Sequence, residues 1–200
     1  YGDWFGIYNY DKNGLHVEVK GLTNEQSLAL NTLLDNMVLV EGGTMVMGNA
    51  DIDSFAVQDC MTDRDKYSNP AHMVTLDNYY ISKYELTQEE WKAFFPLDNK
   101  CTERGDKKAM DKLSWEDATT YAAKLSEITG LNISLPTEAQ WEYAARGGKK
   151  SKGYIFAGHN FDIAEIGWTS FDDLSSAHDV GGKLANELGL YDMTGNVSEW

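Results

Sequence analysis

Residues 186–200 read NELGLYDMTGNVSEW, and the meaning given to this stretch decides the fold. Apolar anchors stand among two glycines and several oxygen-bearing side chains. Asp192 and Glu199 supply carboxylates, and Gly195 permits a sharp turn that can aim main-chain carbonyls at a point between them. An all-oxygen set of that kind suits a hard cation such as calcium rather than zinc or copper. The same pattern, Asp-x-x-Gly-Asn, also describes an ordinary turn between strands. Residue types leave both readings open.

Working outward, LPTEAQWEYAARGG (135–148) reads as a helix entered after Pro136 and capped by Thr137 with Gln140, with Gly147 and Gly148 ending it. In SWEDATTYAAKLSEITG (114–130) the residues Trp115, Ala118, Ala122, Leu125 and Ile128 recur at spacings of three or four. Ser114 caps the start and Gly130 follows the end, which predicts a second helix. Both helices are expected to turn a stiff aromatic inward. HMVTLDNYYISKYELT (72–87) is strand-like, offers Val74, Leu76, Tyr80, Ile81 and Tyr84 to a core, and runs into a helix that Thr87 caps with Glu90.

MVLVEGGTMVMGN (37–49) reads as two short apolar strands about a turn at Gly42 and Gly43, followed by a loop rich in Asp and Asn up to Pro70. Before it, Thr23 and Gln26 form a capping-box pattern ahead of Leu28, Leu30, Leu33 and Leu34, which predicts a helix. The first residues hold a turn from Asp11 to Gly14 and alternation at Leu15, Val17 and Val19, the pattern of a hairpin. Residues 1–36 therefore read as an N-terminal extension and residues 37–200 as the main domain. After Gly148 the chain is mostly loop. Ordering so much irregular backbone costs about 1–2 kcal/mol per residue and calls for a special device, of which bound metal is one.

Composition narrows the function classes. The 200 residues suit one domain with an appendage, and 42% hydrophobic content with 6 Trp, 11 Tyr and 7 Phe argues for a folded core. Lys and Arg number 17 against 32 Asp and Glu, and the net charge of -15 repels nucleic acid and anionic lipid surfaces. No apolar run approaches the ~18 residues of a membrane span. The chain opens on Tyr1 without a basic and apolar leader, as a processed or trimmed product would.

Other chemistries find little support. Cys60 and Cys101 show no C-x-x-C spacing, and a disulfide between them is compatible with the sequence without being deducible from it. His16, His72, His159 and His178 are dispersed, with no H-E-x-x-H, so a zinc hydrolase is disfavoured. No G-x-S-x-G elbow or phosphate-cradling loop occurs. Glu89 with Glu90 and Asp172 with Asp173 read as solvated charge without a catalytic role. Trp91, Trp115, Trp141 and Trp168 could stack on sugars, although core packing is the preferred reading. Two Asn-x-Ser triplets, at Asn132 and Asn196, carry no weight without knowledge of the host.

The blocks MVLVEGGTMVMG, HMVTLDNYYISKYELTQEEW, LSWEDATTYAAKLSEITGLNISLPTEAQWEYAARGG and NELGLYDMTGNVSEW occur in the order and at roughly the distances found in the sulfatase-modifying-factor family, whose founding members are formylglycine-generating enzymes. The resemblance covers about residues 37–200. It implies an α+β fold of the C-type-lectin-like kind, poor in regular secondary structure and commonly calcium-bound. By position, the family's calcium site would use the side chains of Asp192 and Glu199 and the carbonyls of Gly195 and Val197. Asp192 stands where the enzymes carry Asn, and Ser198 where an aromatic is usual.

Family enzymes oxidise a sulfatase cysteine with oxygen at a copper ion held by two cysteines that lie after this block. Cys60 and Cys101 precede it, so no catalytic residue transfers, and the domain reads as incomplete at its C-terminus. The preferred expectation is a non-catalytic domain binding a protein, small-molecule or glycan ligand at a bacterial surface or in the cell envelope. The fold is used that way in retroelement-diversified variable proteins and in secretion or motility lipoproteins. The alternative is a formylglycine-generating enzyme whose copper cysteines lie beyond residue 200. A weaker third reading is a sulfoxide synthase that borrows iron ligands from a partner domain, for which residues 1–36 are too short.

Overall fold

Four helices share one starting device: a Ser or Thr side chain accepts the third helical N–H while the N3 side chain reaches back to the cap's own N–H. The computed structural model describes residues 6–8, 19–48, 70–98, 100–159, 162–169 and 177–200. It places these helices at α1 (Asn24–Asp35, capped by Thr23 with Gln26), α2 (Gln88–Phe94, Thr87 with Glu90), α3 (Trp115–Thr129, Ser114 with Asp117) and α4 (Glu138–Ala145, Thr137 with Gln140). A four-residue helix, α5 (Ile163–Ile166), follows. Gly130 ends α3 in the left-handed conformation, at φ 71°, as its place after the last apolar residue predicts.

The strands are β1 (Gly6–Tyr8), β2 (Met37–Val40), β3 (Thr44–Met47), β4 (His72–Thr75), β5 (Tyr79–Ser82) and β6 (Asn132–Ser134). They form a four-stranded antiparallel sheet in the order β2-β5-β1-β6 and a separate β3-β4 ribbon. The turn at Gly42 and Gly43 is therefore no hairpin, because it hands the chain from one sheet to the other. The stretch 72–87 breaks in the same way at 76–78. The two breaks lie side by side: the Gly42 N–H donates to Asn78 Oδ1 at 2.8 Å and the Leu76 N–H to the Gly43 carbonyl at 2.9 Å.

Side chains on a strand alternate between faces, and β5 uses both. Tyr80 joins Leu30, Leu33, Trp91, Tyr121 and Ile133 in a core beneath α1, α2 and α3. Tyr79 and Ile81 join Val40, Tyr143, Ala144, Leu190 and Met193 beneath α4. The closing stretch thus supplies two members of the second core.

Several placements differ from expectation. Leu28 is 62% exposed and Ala29 takes its inward place. Trp115 is 53% exposed, and the buried aromatic of α3 is Tyr121 instead. Glu90, read as solvated charge, is buried, since its carboxylate accepts the Thr87 N–H at 2.9 Å and closes the α2 cap. The expected hairpin at 11–19 and the Asp- and Asn-rich loop lie largely outside the described residues, as do Asp172 and Asp173.

Candidate functional site

The closing stretch is held by its own side chains before anything is bound to it. Asn186 is buried and works as a double staple. Its Oδ1 accepts the N–H groups of Leu188 and Leu190 at 3.0 and 3.1 Å, while its Nδ2 donates to the carbonyls of Ala144 and Ala145 at 2.8 and 3.3 Å. The last carbonyls of α4, which have no partner within the helix, are satisfied in this way. The Tyr191 N–H then donates to the Lys83 carbonyl at 3.1 Å, docking the chain on the β5–α2 connection.

From here the backbone turns left-handed three times within five residues: φ is 57° at Asp192, 94° at Gly195 and 63° at Asn196. Such conformations persist only where the surroundings over-determine them. Asp192 is 1% exposed and its Oδ2 accepts the Gly181 N–H at 2.6 Å. The Asn196 N–H donates to the Trp168 carbonyl at 2.9 Å, and its Oδ1 accepts the His178 N–H at 2.9 Å. Its Nδ2 donates to Glu85 Oε2 at 2.5 Å, and the Val197 N–H donates to Glu85 Oε1 at 3.2 Å. Trp200 Nε1 donates to the Leu113 carbonyl at 3.0 Å.

Gly195 is required twice over: its φ is positive, and an added Cβ would lie 2.1 Å from the Trp168 carbonyl oxygen. Gly195→Ala is expected to lower stability by about 1–3 kcal/mol through backbone strain, read as a fall in melting temperature. Opposite it, the Trp168 ring stacks on His178 with centroids 4.0 Å apart and planes 13° from parallel, and Lys183 Nζ lies 3.9 Å from its centroid. His178 is thus a stacking partner, and His159 accepts the Asp162 N–H through Nδ1 at 3.1 Å.

The site's electrostatics turn on a residue that sequence reading missed. Glu85 is 1% exposed, and burial pushes its carboxyl well above the usual range. The negative charges of Glu199 and Asp192 push it further, while the Val197 N–H and Asn196 pull the other way. Burial also raises Asp192, opposed by the Gly181 N–H. Glu85 thus carries the repulsion of two neighbouring carboxylates, the buried Asp192 and the half-buried Glu199. An acid between Tyr84 and Leu86, in a stretch otherwise read as core, was the available signal.

Asp192 and Glu199, which flank Gly195 and Val197 in the chain, each act on the Glu85 carboxyl. Among the described residues no three His, Cys, Asp or Glu side chains are spaced to hold a metal. A site of two carboxylates completed by two main-chain carbonyls is a different arrangement, and one observation fits it: Asp192 Oδ1 is buried with no hydrogen-bond partner among the described residues. Cys101 is a half-buried free thiol, and Cys60 lies outside the described residues.

A cavity of about 690 Å³ opens against this loop. Its walls include Trp141, Ile163, Trp168, Met193 and Trp200, with Pro136 at the start of α4. No described helix is long and apolar enough to cross a membrane.

Comparison with known proteins gives these features a setting. A sulfatase-modifying factor enzyme 1-like domain matches residues 24–200. The chaperone protein LppX of Paenibacillus barcinonensis is 29% identical across 91% of this chain and 76% of its own length. The formylglycine-generating enzyme of Thermomonospora curvata is 32% identical across 55% of this chain, which spans 38% of that enzyme. Among solved structures, Treponema denticola variable protein 1 superposes with a TM-score of 0.62 over 82% of this chain and 71% of its own, and at 24% identity it speaks to the fold.

Proposed function

The chain belongs to the sulfatase-modifying-factor family, and we propose that it serves there as a non-catalytic scaffold that binds a segment of another protein at a bacterial surface or in the cell envelope. The observation that carries this reading is the aromatic-walled cavity of about 690 Å³ beside the closing loop. Its size falls within the ~300–1,000 Å³ of ligand sites, and Trp141, Trp168 and Trp200 give it flat apolar faces with polar edges. Likeness to a chaperone along nearly the whole chain supports the same reading, whereas likeness to the enzyme from Thermomonospora curvata covers about half of it.

Calcium belongs to this proposal as a structural ion. Asp192 and Glu199, with the carbonyls of Gly195 and Val197, would hold it, and it would supply positive charge to a cluster of desolvated carboxylates. Glu85 then acts from behind, holding Asn196 and Val197 by their N–H groups so that the loop keeps its path. The second reading is a formylglycine-generating enzyme whose copper-binding cysteines lie beyond residue 200, favoured by the 32% identity to one.

One experiment separates the two. The full-length product of the gene that encodes this chain is tested for suppressing aggregation of thermally unfolded citrate synthase, and in parallel, loaded with copper(I) in air, for converting a sulfatase-type cysteine peptide to formylglycine by mass spectrometry. Suppression that Trp141→Ala weakens, without formylglycine, is the expected outcome. Formylglycine formation, or no suppression, would overturn it.

A further inference from the structure

One face of α1 lines a cleft that contains no residue of the closing loop. Glu25, Leu28, Ala29, Thr32, Leu33 and Asn36 recur at spacings of three or four, so they form a single stripe along the whole helix. The stripe borders a cavity of about 470 Å³ whose other walls include Glu89 and Ala93 of α2, with Leu86 and Val180. Ala29 and Leu33 are sealed inside, at 6% and 3% exposed, whereas Leu28 stands 62% exposed on the open side. The packing that keeps Leu28 out of the core thus leaves an apolar wall facing water.

Such a wall gains by being covered, because apolar surface then leaves water. The 12 residues of α1 rise about 18 Å, the length of roughly three turns of another helix. A helix laid along it can set apolar anchors at i, i+4 and i+7 into the cleft, the way amphipathic helices fill hydrophobic grooves.

The charges on the walls select which helix. Asp106 accepts from the Lys92 ammonium at 2.5 Å and holds it above the usual lysine range, and the carboxylates of Glu89 and Glu25 add to that pull. The walls therefore already stabilise one alkylammonium. Glu25 and Glu89 are exposed and have no ion-pair partner of their own among the described residues, while Lys107 is the remaining cation of the walls. A net charge of -15 attracts a cationic partner from a distance and opposes a second copy of the chain.

We propose that the cleft between α1 and α2 is a docking site for a cationic amphipathic helix of a partner protein, with apolar residues against Leu28 and Ala93 and Lys or Arg residues on Glu25 and Glu89. The cleft contains none of Trp141, Trp168 and Trp200, so this site and the Trp-walled cavity stand or fall separately.

The test uses the full-length product of the gene that encodes this chain, in calcium, with fluorescent peptides read by anisotropy. The first peptide is two repeats of Leu-Lys-Lys-Leu-Leu-Lys-Leu, the second has Glu for every Lys, and the third reorders the first to remove its apolar face. The first is expected to bind about tenfold more tightly than either other. Leu28→Ser should weaken it several-fold, and Trp141→Ala should leave it unchanged. Glu25→Lys with Glu89→Lys should weaken the basic peptide several-fold and strengthen the acidic one, a gain that misfolding does not produce. The same reversal at Asp77 and Glu116, exposed carboxylates outside the cleft, should change either affinity far less. Equal weakening by that outside pair, no loss in Leu28→Ser, or equally tight binding of the reordered peptide would overturn the site, since each means attraction by net charge alone. Self-association in sedimentation that Leu28→Ser abolishes would assign the cleft to a second copy and overturn the partner helix.

Discussion

Glu85→Ala is expected to destabilise the domain by about 2–4 kcal/mol and to abolish any gain in melting temperature on adding calcium. The carboxylate is 1% exposed and accepts from Asn196 Nδ2 and the Val197 N–H. Truncation leaves the half-buried Val197 N–H without its acceptor and Asn196 Nδ2 with only the His178 carbonyl at 3.5 Å, at about 1–3 kcal/mol for such a group, and opens a void where the side chain stood. Relief of repulsion among Glu85, Asp192 and Glu199 offsets part of the loss. The Asn196 and Val197 anchors fix the path between Gly195 and Glu199, so the oxygens proposed to meet calcium lose their arrangement together. Thermal melts in calcium and in chelator read both effects.

Trp91→Ala is expected to cost more, about 3–5 kcal/mol, and to leave the calcium response intact. Trp91 is 2% exposed, its ring lies 5.4 Å from that of Tyr121 at 16° and 5.0 Å from that of Phe95, and its Nε1 donates to the Pro96 carbonyl at 3.0 Å. Alanine removes the stack and the donor at once. Because Trp91 belongs to the core under α1, α2 and α3, whereas the closing loop belongs to the core under α4, the loss should fall on global stability alone. Chemical denaturation supplies the free energy, and the calcium-induced shift of the variant supplies the contrast with Glu85→Ala. Equal loss of the calcium response in both variants would mean that the two cores do not separate as described.

The starts of the longer helices were legible because a capping box is written within four residues: Thr23 with Gln26, Thr87 with Glu90 and Thr137 with Gln140 all close as spelled, whereas the short α5 was read as loop. Inward faces were less so. Trp115 fits the apolar spacing of α3, yet it sits in the first turn, and the core meets the helix at Ala118, Tyr121, Ala122 and Leu125. Strand pairing was illegible at Gly42 and Gly43, where a turn into a partner strand and a turn into another sheet look alike in sequence. The carboxylates of Asp192 and Glu199 and the bend at Gly195 could be read from their letters, whereas the importance of Glu85 arises from a fold contact with Asn196, far along the chain.

The central claim is that a cation pins the closing loop of a family scaffold. The measurement that meets it most directly is the melting temperature of the chain in excess calcium and in chelator, for the native sequence and for Glu199→Ala. A ligand that binds only the folded state raises stability by mass action, by about 2.7 kcal/mol at a hundredfold excess over Kd. The account predicts a clear rise with calcium in the native chain and none in Glu199→Ala. No shift in the native chain, or an equal shift in the variant, would contradict it.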